Sequence, residues 1–199
     1  MSSQFWDDRY RADAFAYGRE PNEFLRAEAH RIPPGRVLCL AEGEGRNAVF
    51  LAGLGHQVTA VDFSTEGLRK AERLARERNV EIGTIHADLA DYEPELGAFT
   101  GVVAIFAHLP PATRRRVHGW IHRALAPGGV FVLEAYTPAQ LAFDTGGPRD
   151  AALLMTLADL RDELASLTLE VGREVERDID EGTFHAGRSA TVQLVAVRR

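Results

Sequence analysis

Two glycines and an aspartate in the first third of the chain have the residue types and spacing needed to hold a ligand that contains a sugar. Gly43 and Gly45 follow the apolar run 37–41, and Asp62 ends the next apolar run. Glycines let backbone N–H groups approach a ligand closely, because no Cβ stands in the way. A carboxylate at the tip of a second strand can accept hydrogen bonds from both hydroxyls of a ribose. Asp62 follows Gly45 at close to the roughly 20-residue spacing of a nucleoside-binding strand–helix–strand unit, which predicts a nucleoside-type cofactor.

Each part of this pattern also has a simpler interpretation. The two glycines could form a tight turn between a strand and a helix without any ligand. Asp62 could be the N-cap of the next helix, since Asp and Ser are good capping residues. Capping and ribose binding are compatible roles, and the glycines together with an acid at this distance favour binding.

Two more candidate groups follow later predicted strands. Asp88 follows the segment 81–86, and His108 follows the segment 101–107. Ligands of open α/β sheets bind at the carboxyl ends of strands, so both side chains are expected near Asp62. A neutral imidazole can take a proton from a substrate nucleophile near pH 7, which makes His108 the candidate catalytic base. The alternatives are that His108 packs against the cofactor or holds its loop, and that Asp88 only caps a turn.

The elements that must position these groups follow from the hydropathy pattern. Apolar and amphipathic segments alternate, which is typical of a parallel sheet covered by helices on both faces. Strands are predicted at 37–41, 57–61, 81–86, 101–107 and 129–135, and helices at 46–54, 65–79 and 111–125. Beyond Glu134 the sequence predicts a loop-rich segment at 137–152, a helix at 157–165, and extended runs at 167–178 and 184–197. Turn residues at 178–182 predict that these two runs form an antiparallel hairpin.

Several charged or reactive residues are expected to have no part in the chemistry. The arginine triplet 114–116 and the helix face that carries Lys70 are predicted to face solvent. His118 and His122 lie four residues apart on one helix, but no nearby acids or cysteines complete a metal site. Both are therefore expected at the surface, and no metal is predicted. Cys39 is expected to be an inert thiol in a buried strand.

Length and composition exclude several classes of protein. The chain has 199 residues, 45% of them hydrophobic, with a net charge of −6 and a pI of about 5.7. This size predicts one domain spanning 1–199, and the acidic balance argues against a general nucleic-acid binder. No signal-peptide pattern and no bilayer-length apolar stretch is visible. A cytoplasmic protein without a membrane partner is expected; the oligomeric state is left open, and a monomer is compatible with the sequence.

Several motifs in a fixed order resemble the class I S-adenosylmethionine-dependent methyltransferases. The segment 39–45 is similar to that family's glycine motif, and 125–129, Leu-Ala-Pro-Gly-Gly, is similar to the turn before its fifth strand. The terminal hairpin is similar to the family's sixth and seventh strands. Within the family, the chain looks closest to small bacterial methyltransferases of the tellurite-resistance and thiopurine type. That similarity lies in Trp6, Tyr10 and the segment 17–25, Tyr-Gly-Arg-Glu-Pro-Asn-Glu-Phe-Leu.

The resemblance implies a Rossmann-like α/β fold with a seven-stranded, mostly parallel sheet, a C-terminal antiparallel hairpin and helices on both faces. It implies S-adenosylmethionine as the cofactor and methyl transfer to a small-molecule acceptor. Residues 1–30 would form a lid over the cofactor, and 137–152 would form the acceptor side. The implied cofactor-binding residues are Tyr17, Ala41, Glu42, Gly43, Gly45, Arg46, Asn47, Asp62, Phe63, Ser64, Asp88, Leu89 and Phe106. The implied acceptor residues are Tyr10, Tyr136 and Phe143.

Two positions depart from the family's glycine motif. Cys39 stands in place of an acidic residue and Ala41 in place of the first glycine, while Glu42 and Glu44 bring two carboxylates into the loop. One of these could contact the amino-acid end of the cofactor, or both could only order the loop. A thiol or a chalcogen oxyanion is a possible acceptor class. The alternatives are a nicotinamide-binding oxidoreductase and a non-catalytic cofactor-binding protein of the same fold.

Overall fold

Buried strands alternate with helices along the chain, which the computed structural model describes over residues 3–143 and 145–199. Positions 1 and 2 of the predicted lid and position 144 of the predicted acceptor loop lie outside the described residues. The strands are β1 (Arg36–Leu40), β2 (Gln57–Asp62), β3 (Gly83–His86), β4 (Phe99–Ile105), β5 (Leu125–Tyr136), β6 (Thr168–Asp180) and β7 (Ala186–Val197). The α-helices are α1 (Ser3–Tyr10), α2 (Glu23–Glu28), α3 (Arg46–Gly53), α4 (Thr65–Glu77), α5 (Pro111–Ala124) and α6 (Leu157–Glu163).

All seven strands form one sheet in the order β3-β2-β1-β4-β5-β7-β6. The first five strands run parallel, and β7 pairs antiparallel with both β5 and β6. The chain order reverses between β1 and β4, and ligands of such sheets bind in the crevice at this switch point. The predicted fold class is confirmed.

Alternating side chains of β1 supply both faces of the sheet with apolar groups. Val37 and Cys39 pack into the layer that contains α2 and α3, whereas Leu38 and Leu40 pack into the layer that contains α5 and α6. Successive side chains of a strand point to opposite faces, so a strand buried on both sides is a continuous apolar run. Cys39 is fully buried, as predicted.

Polar side chains fix where several helices begin. Ser64, and not Asp62, caps α4 by accepting a hydrogen bond from the backbone N–H of Gly67 at 3.0 Å. Asn22 caps α2 in the same way, through the N–H of Leu25 at 2.9 Å. Such caps satisfy backbone donors that have no partner within the helix.

The structure corrects several predicted boundaries. β4 ends at Ile105, so the end of the predicted strand 101–107 lies in the following loop. β5 begins at Leu125 instead of 129, because Leu125 pairs with Phe99 before the register shifts. The hairpin turn lies after Asp180 instead of at 178–182, because the pairing of β6 with β7 continues that far.

Three residues predicted to face solvent, Lys70, Arg114 and His118, are buried. Lys70 pairs with Glu44 at 2.5 Å. Arg114 and His118 lie 2.8 and 2.6 Å from the carboxylate of Glu163 on α6. Buried ionised groups require charged or hydrogen-bonding partners. Helical periodicity could not reveal these partners, because Glu44 and Glu163 are distant in sequence.

Candidate functional site

A cavity of about 890 Å³ opens at the carboxyl ends of β1, β2 and β4. Its size lies near the top of the range of about 300–1,000 Å³ that is usual for small-molecule sites. The predicted site residues that line it are Tyr10, Tyr17, Ala41, Glu42, Arg46, Asn47, Asp62, Phe63, Asp88, Leu89, Phe106 and His108. The predicted residues Gly43, Gly45, Ser64, Tyr136 and Phe143 are not part of this lining.

Asp62 is held rigidly at the end of β2 by the backbone around it. Its two carboxylate oxygens accept hydrogen bonds from the N–H of Gly43 at 2.7 Å and from the N–H of Ser64 at 2.8 Å. Burial raises the pKa of Asp62, while these two hydrogen bonds lower it. Each carboxylate oxygen can accept more than one hydrogen bond, so the group is oriented and keeps capacity for a ligand. Gly43 and Ser64 therefore do not line the cavity but position the Asp62 carboxylate, which does.

Glu42 closes the N-terminal end of α3. One carboxylate oxygen accepts hydrogen bonds from the N–H groups of Asn47 and Ala48, at 2.9 and 2.8 Å. A carboxylate at this end of a helix satisfies free donors and interacts favourably with the helix dipole. Burial nevertheless raises the pKa of Glu42 to about 7. The loop glutamate therefore has a structural role and also lines the cavity.

Two residues other than glycine adopt left-handed backbone conformations at the ends of neighbouring strands. Ala41 follows β1 with φ of 49°, and Phe106 follows β4 with φ of 54°. Such conformations are uncommon for residues with a Cβ and cluster at functional sites. At Ala41, this backbone geometry gives a physical reason for the glycine found there in the resembled family.

The segment before β1 folds over the glycine loop; its role as a lid over the cofactor stays a prediction. A Cβ added to Gly43 would lie 2.6 Å from the hydroxyl oxygen of Tyr10, so the close contact requires glycine. The ring of Trp6 stacks on Tyr10 with centroids 5.7 Å apart. The carboxylate of Asp7 accepts hydrogen bonds from the hydroxyl of Ser64 and the N–H of Glu66. Helix α1 is thereby attached to the beginning of α4.

A buried polar network connects Arg46 with the hairpin. Nη2 of Arg46 lies 2.6 Å from the carboxylate of Glu181, which also accepts from the side chains of Asn22 at 2.9 Å and Arg177 at 3.1 Å. Glu134, fully buried on β5, accepts hydrogen bonds from the same Asn22 and Arg177 side chains. Within the described residues, Nη1 of Arg46 is buried without a partner. Sequence spacing gave no indication of this network.

His108 has both ring nitrogens in hydrogen bonds. Nδ1 lies 3.0 Å from the carbonyl oxygen of Leu153, and Nε2 accepts from the N–H of Tyr136 at 3.3 Å. Burial lowers the pKa of His108 to about 4, so the ring is neutral. These bonds favour the alternative role in which His108 holds a loop, while its role as catalytic base stays a prediction.

The remaining predicted site residues differ in whether they line the cavity. Asp88 lines the cavity and also caps a turn, accepting from the N–H of Ala90 at 2.8 Å. Tyr136 is fully buried, with its ring stacked on Phe106 at a centroid distance of 4.7 Å. Phe143 is half-buried and lies outside the cavity lining. The cavity is also lined by part of the 137–152 segment, whose role on the acceptor side stays a prediction: Gly146, Gly147, Pro148, Arg149, Asp150 and Ala152.

Two residues of the β6–β7 turn, Phe184 and His185, also line the cavity. Neither was predicted as a site residue, since the sequence indicated only the hairpin. Their position depends on the pairing of β7 between β5 and β6, which brings the turn to the carboxyl ends of the parallel strands. The only sequence signal for these two site residues was that an aromatic residue and a histidine directly follow the predicted hairpin turn.

Comparison with known proteins agrees with this arrangement. Residues 37–129, from β1 into β5, match the model of a methyltransferase domain family. The matched segment contains the glycine loop, Asp62 and His108. The match and the methyltransferase structures that share this fold agree with the predicted cofactor, S-adenosylmethionine.

Two curated relatives cover part of the chain. A demethylmenaquinone methyltransferase from Thermus thermophilus is 35% identical over 113 residues, covering 55% of this chain and 51% of that protein. A 2-heptyl-1-hydroxyquinolin-4(1H)-one methyltransferase from Mycobacteroides abscessus is 26% identical over 137 residues, covering 67% of this chain and 60% of that protein. The chain thus spans between about half and three-fifths of the length of these relatives.

A solved structure resembles the chain over almost its whole length. TehB from Haemophilus influenzae covers 99% of this chain and 67% of its own, with a TM-score of 0.71 and 17% sequence identity. This similarity concerns the fold. None of the described helices has the length and apolar character needed to cross a bilayer. Among the described side chains, no group of three or more His, Cys, Asp and Glu residues could hold a metal ion.

Proposed function

We propose that this protein transfers the methyl group of S-adenosylmethionine to a small-molecule acceptor. One observation carries the proposal. A single cavity contains both the Asp62 carboxylate, which is suited to ribose hydroxyls, and an aromatic end around Phe106 and His185. The first part suits a nucleoside cofactor. The second part leaves space for an acceptor beside it.

The residues around the cavity fit the polar groups of this cofactor one by one. The carboxylate of Asp62 would accept hydrogen bonds from the ribose hydroxyls, and Asp88 would accept from the adenine amine. The free Nη1 of Arg46 would bind the carboxylate, which is the anionic group of the cofactor. Glu42, whose burial is unfavourable for a charged carboxylate, would be stabilised by the nearby ammonium group.

When bound, S-adenosylmethionine supplies a methyl group activated by its attachment to a sulfonium. The chain then has to align the acceptor and exclude water. Trp6, Tyr10 and Tyr17 line one side of the cavity, and residues of the segment 146–153 line another. A concave site of this size suits a small acceptor better than a nucleic acid or a folded protein.

The second part of the proposal is the chemical class of the methyl acceptor. The resemblance to tellurite-resistance and thiopurine methyltransferases suggests a thiol or a chalcogen oxyanion, whereas the names of the two curated relatives suggest a bicyclic aromatic acceptor. The aromatic rings at the acceptor end support an aromatic molecule that carries a thiol or hydroxyl group. The nicotinamide and non-catalytic alternatives have no specific observation in their favour.

Ligand binding tests the proposal directly. S-adenosylhomocysteine should raise the melting temperature, because a ligand that binds only the folded state stabilises it, and NAD should leave it unchanged. Asp62→Ala should weaken S-adenosylhomocysteine binding at least tenfold in calorimetry. Asp91→Ala, an exposed aspartate outside the cavity, is the matched control. Stabilisation by NAD instead, or unchanged affinity in Asp62→Ala, would overturn the assignment.

A further inference from the structure

His185 is placed in the cavity by a tight turn. The N–H of Glu181 donates to the carbonyl of His185 at 2.8 Å, and the N–H of His185 donates to the carbonyl of Gly182 at 3.2 Å. The residue is 8% exposed, and its Nδ1 is buried without any hydrogen-bond partner among the described residues. A buried polar atom without a partner costs free energy, so such an atom in a cavity indicates that a ligand completes it.

Aromatic rings surround this imidazole on three sides. Its centroid lies 4.5 Å from that of Tyr17, 4.5 Å from that of Phe106 and 5.5 Å from that of Tyr136. Aromatic rings at these distances favour stacked or edge-to-face contacts, which a planar ligand can extend. The three rings come from the segment before β1, from the end of β4 and from the end of β5. The acceptor end of the cavity is therefore assembled from widely separated parts of the chain.

Burial and the neighbouring positive charges keep His185 neutral. Burial lowers its pKa well below the ordinary value of 6.5, and the positive charges of Arg46 and Arg9 lower it further. A neutral imidazole has one nitrogen that accepts a hydrogen bond. His108 lacks this capacity, since both of its nitrogens are already engaged.

We propose that His185 binds the hydroxyl or thiol group of a planar aromatic acceptor through its free nitrogen and takes the proton during methyl transfer. This inference rests on the proposed function. The acceptor heteroatom forms a bond to the methyl carbon, while the bond from that carbon to sulfur breaks and its electron pair stays on sulfur, giving S-adenosylhomocysteine. The acceptor's proton passes to His185 and then to solvent. A weak base suffices, because the heteroatom becomes strongly acidic as it acquires the methyl group.

The buried network explains how this histidine is kept in position. The carboxylate of Glu181 is fixed by Arg46 at 2.6 Å and by Asn22 at 2.9 Å, and the backbone N–H of the same glutamate holds the carbonyl of His185. The residue that would hold the cofactor carboxylate therefore also supports the turn that presents the base. Glu181 is a positioning residue in this scheme.

The experiment compares His185→Gln with the unmodified protein on a protonated and an ionised acceptor. The probes are 4-nitrophenol below its pKa and 4-nitrothiophenol above its pKa, with 2-mercaptoethanol and tellurite as non-aromatic comparisons. Formation of S-adenosylhomocysteine gives kcat and KM, and calorimetry gives S-adenosylhomocysteine affinity. His30→Gln, an exposed histidine outside the cavity, is the control.

Loss of a proton acceptor should lower kcat/KM for the protonated phenol by about 100-fold or more. Turnover of the ionised thiol should stay within about fivefold, with S-adenosylhomocysteine affinity unchanged. Equal losses on both acceptors, or no loss on either, would overturn the role of His185. Methylation of only the non-aromatic acceptors by the unmodified protein would overturn the acceptor class. Failure to bind S-adenosylhomocysteine at all would instead contradict the proposed function, so the two failures are distinguishable.

Discussion

Nζ of Lys70 lies 2.5 Å from a carboxylate oxygen of Glu44, and the two side chains are only 1% and 2% exposed. The pair connects α4 with the glycine loop. Lys70 also donates hydrogen bonds to the carbonyl groups of Ala12 and Ala14, at 2.8 and 2.6 Å. The other oxygen of Glu44 accepts from the N–H of Tyr17 at 3.2 Å. One ion pair thus fixes the segment before β1 to the glycine loop.

Removing the positive charge of this pair should be strongly destabilising. Lys70→Met leaves the Glu44 carboxylate buried without a counter-charge, and such changes cost about 3–5 kcal/mol. Urea denaturation followed by circular dichroism measures the free energy of unfolding. Arg69→Ala is the control, because its pair with Glu66 is solvent-exposed and should contribute less than about 1 kcal/mol. Equal effects of the two substitutions would show that the buried pair has no special role.

The glycine loop should not tolerate a methyl group at its second glycine. Gly45 has φ of 87°, and an added Cβ would lie 2.5 Å from the Cβ of Ala71 on α4. Gly45→Ala should therefore lower the melting temperature sharply and reduce S-adenosylhomocysteine binding. Gly53→Ala meets no atom within 4 Å and lies in α3, so it should stabilise the protein by roughly 0.5–1 kcal/mol. A mild effect of Gly45→Ala would contradict the close packing of α3 on α4.

The buried Glu42 should make stability depend on pH. Burial raises its pKa to about 7 from an ordinary 4.5, so the folded state binds its proton more tightly than the unfolded state. The stabilising contribution is complete below pH 4.5 and is lost as pH rises through 7. Between pH 5 and 8 the protein should lose about 2 kcal/mol relative to Glu42→Gln, which keeps an oxygen to cap α3. Glu95→Gln, which is exposed, should follow the unmodified protein in the same denaturation series.

The two cavity histidines should respond to substitution in opposite ways. His108→Ala removes hydrogen bonds to Leu153 and Tyr136, so it should cost about 1–3 kcal/mol of stability and reduce turnover less than tenfold. His185→Gln should show the reverse pattern, with stability nearly unchanged. Parallel measurement of unfolding and kcat separates them. A stable His108→Ala protein with a turnover loss above 100-fold would restore His108 as the base.

Local sequence pattern was sufficient for the parts of the structure that depend on neighbouring residues. The apolar run of β1, the glycines at 43 and 45, and the Ser64 cap each follow from steric or hydrogen-bonding preferences within a few residues. Asp62 could be placed because its distance from the glycine loop is fixed by one helix and one strand. Leu68, Ala71, Leu74 and Ala75 recur at helical spacing in the sequence and are buried along α4.

Pairings between distant segments could not be predicted in this way. Lys70 was predicted to face solvent from its position on the helix. That position gives no information about its distant partners, the Glu44 carboxylate and the backbone carbonyl groups before β1. His185 was missed for the same reason, since its place in the cavity depends on the order of strands in the sheet. The Arg46–Glu181 pair joins residues 135 positions apart in the sequence, and both side chains are buried, which only the folded structure reveals.

The position of β7 also has consequences for the order of folding. Tyr136 of β5 pairs with Thr191 of β7, although the two are far apart along the chain, whereas β6 and β7 are joined by a short turn. Loop-closure entropy favours the local hairpin first, followed by its docking as a unit against β5. Until that docking, the apolar edge of β5 is exposed and can pair with other chains. Refolding yield should therefore depend on protein concentration, with the docking of the hairpin as the step that competes with aggregation.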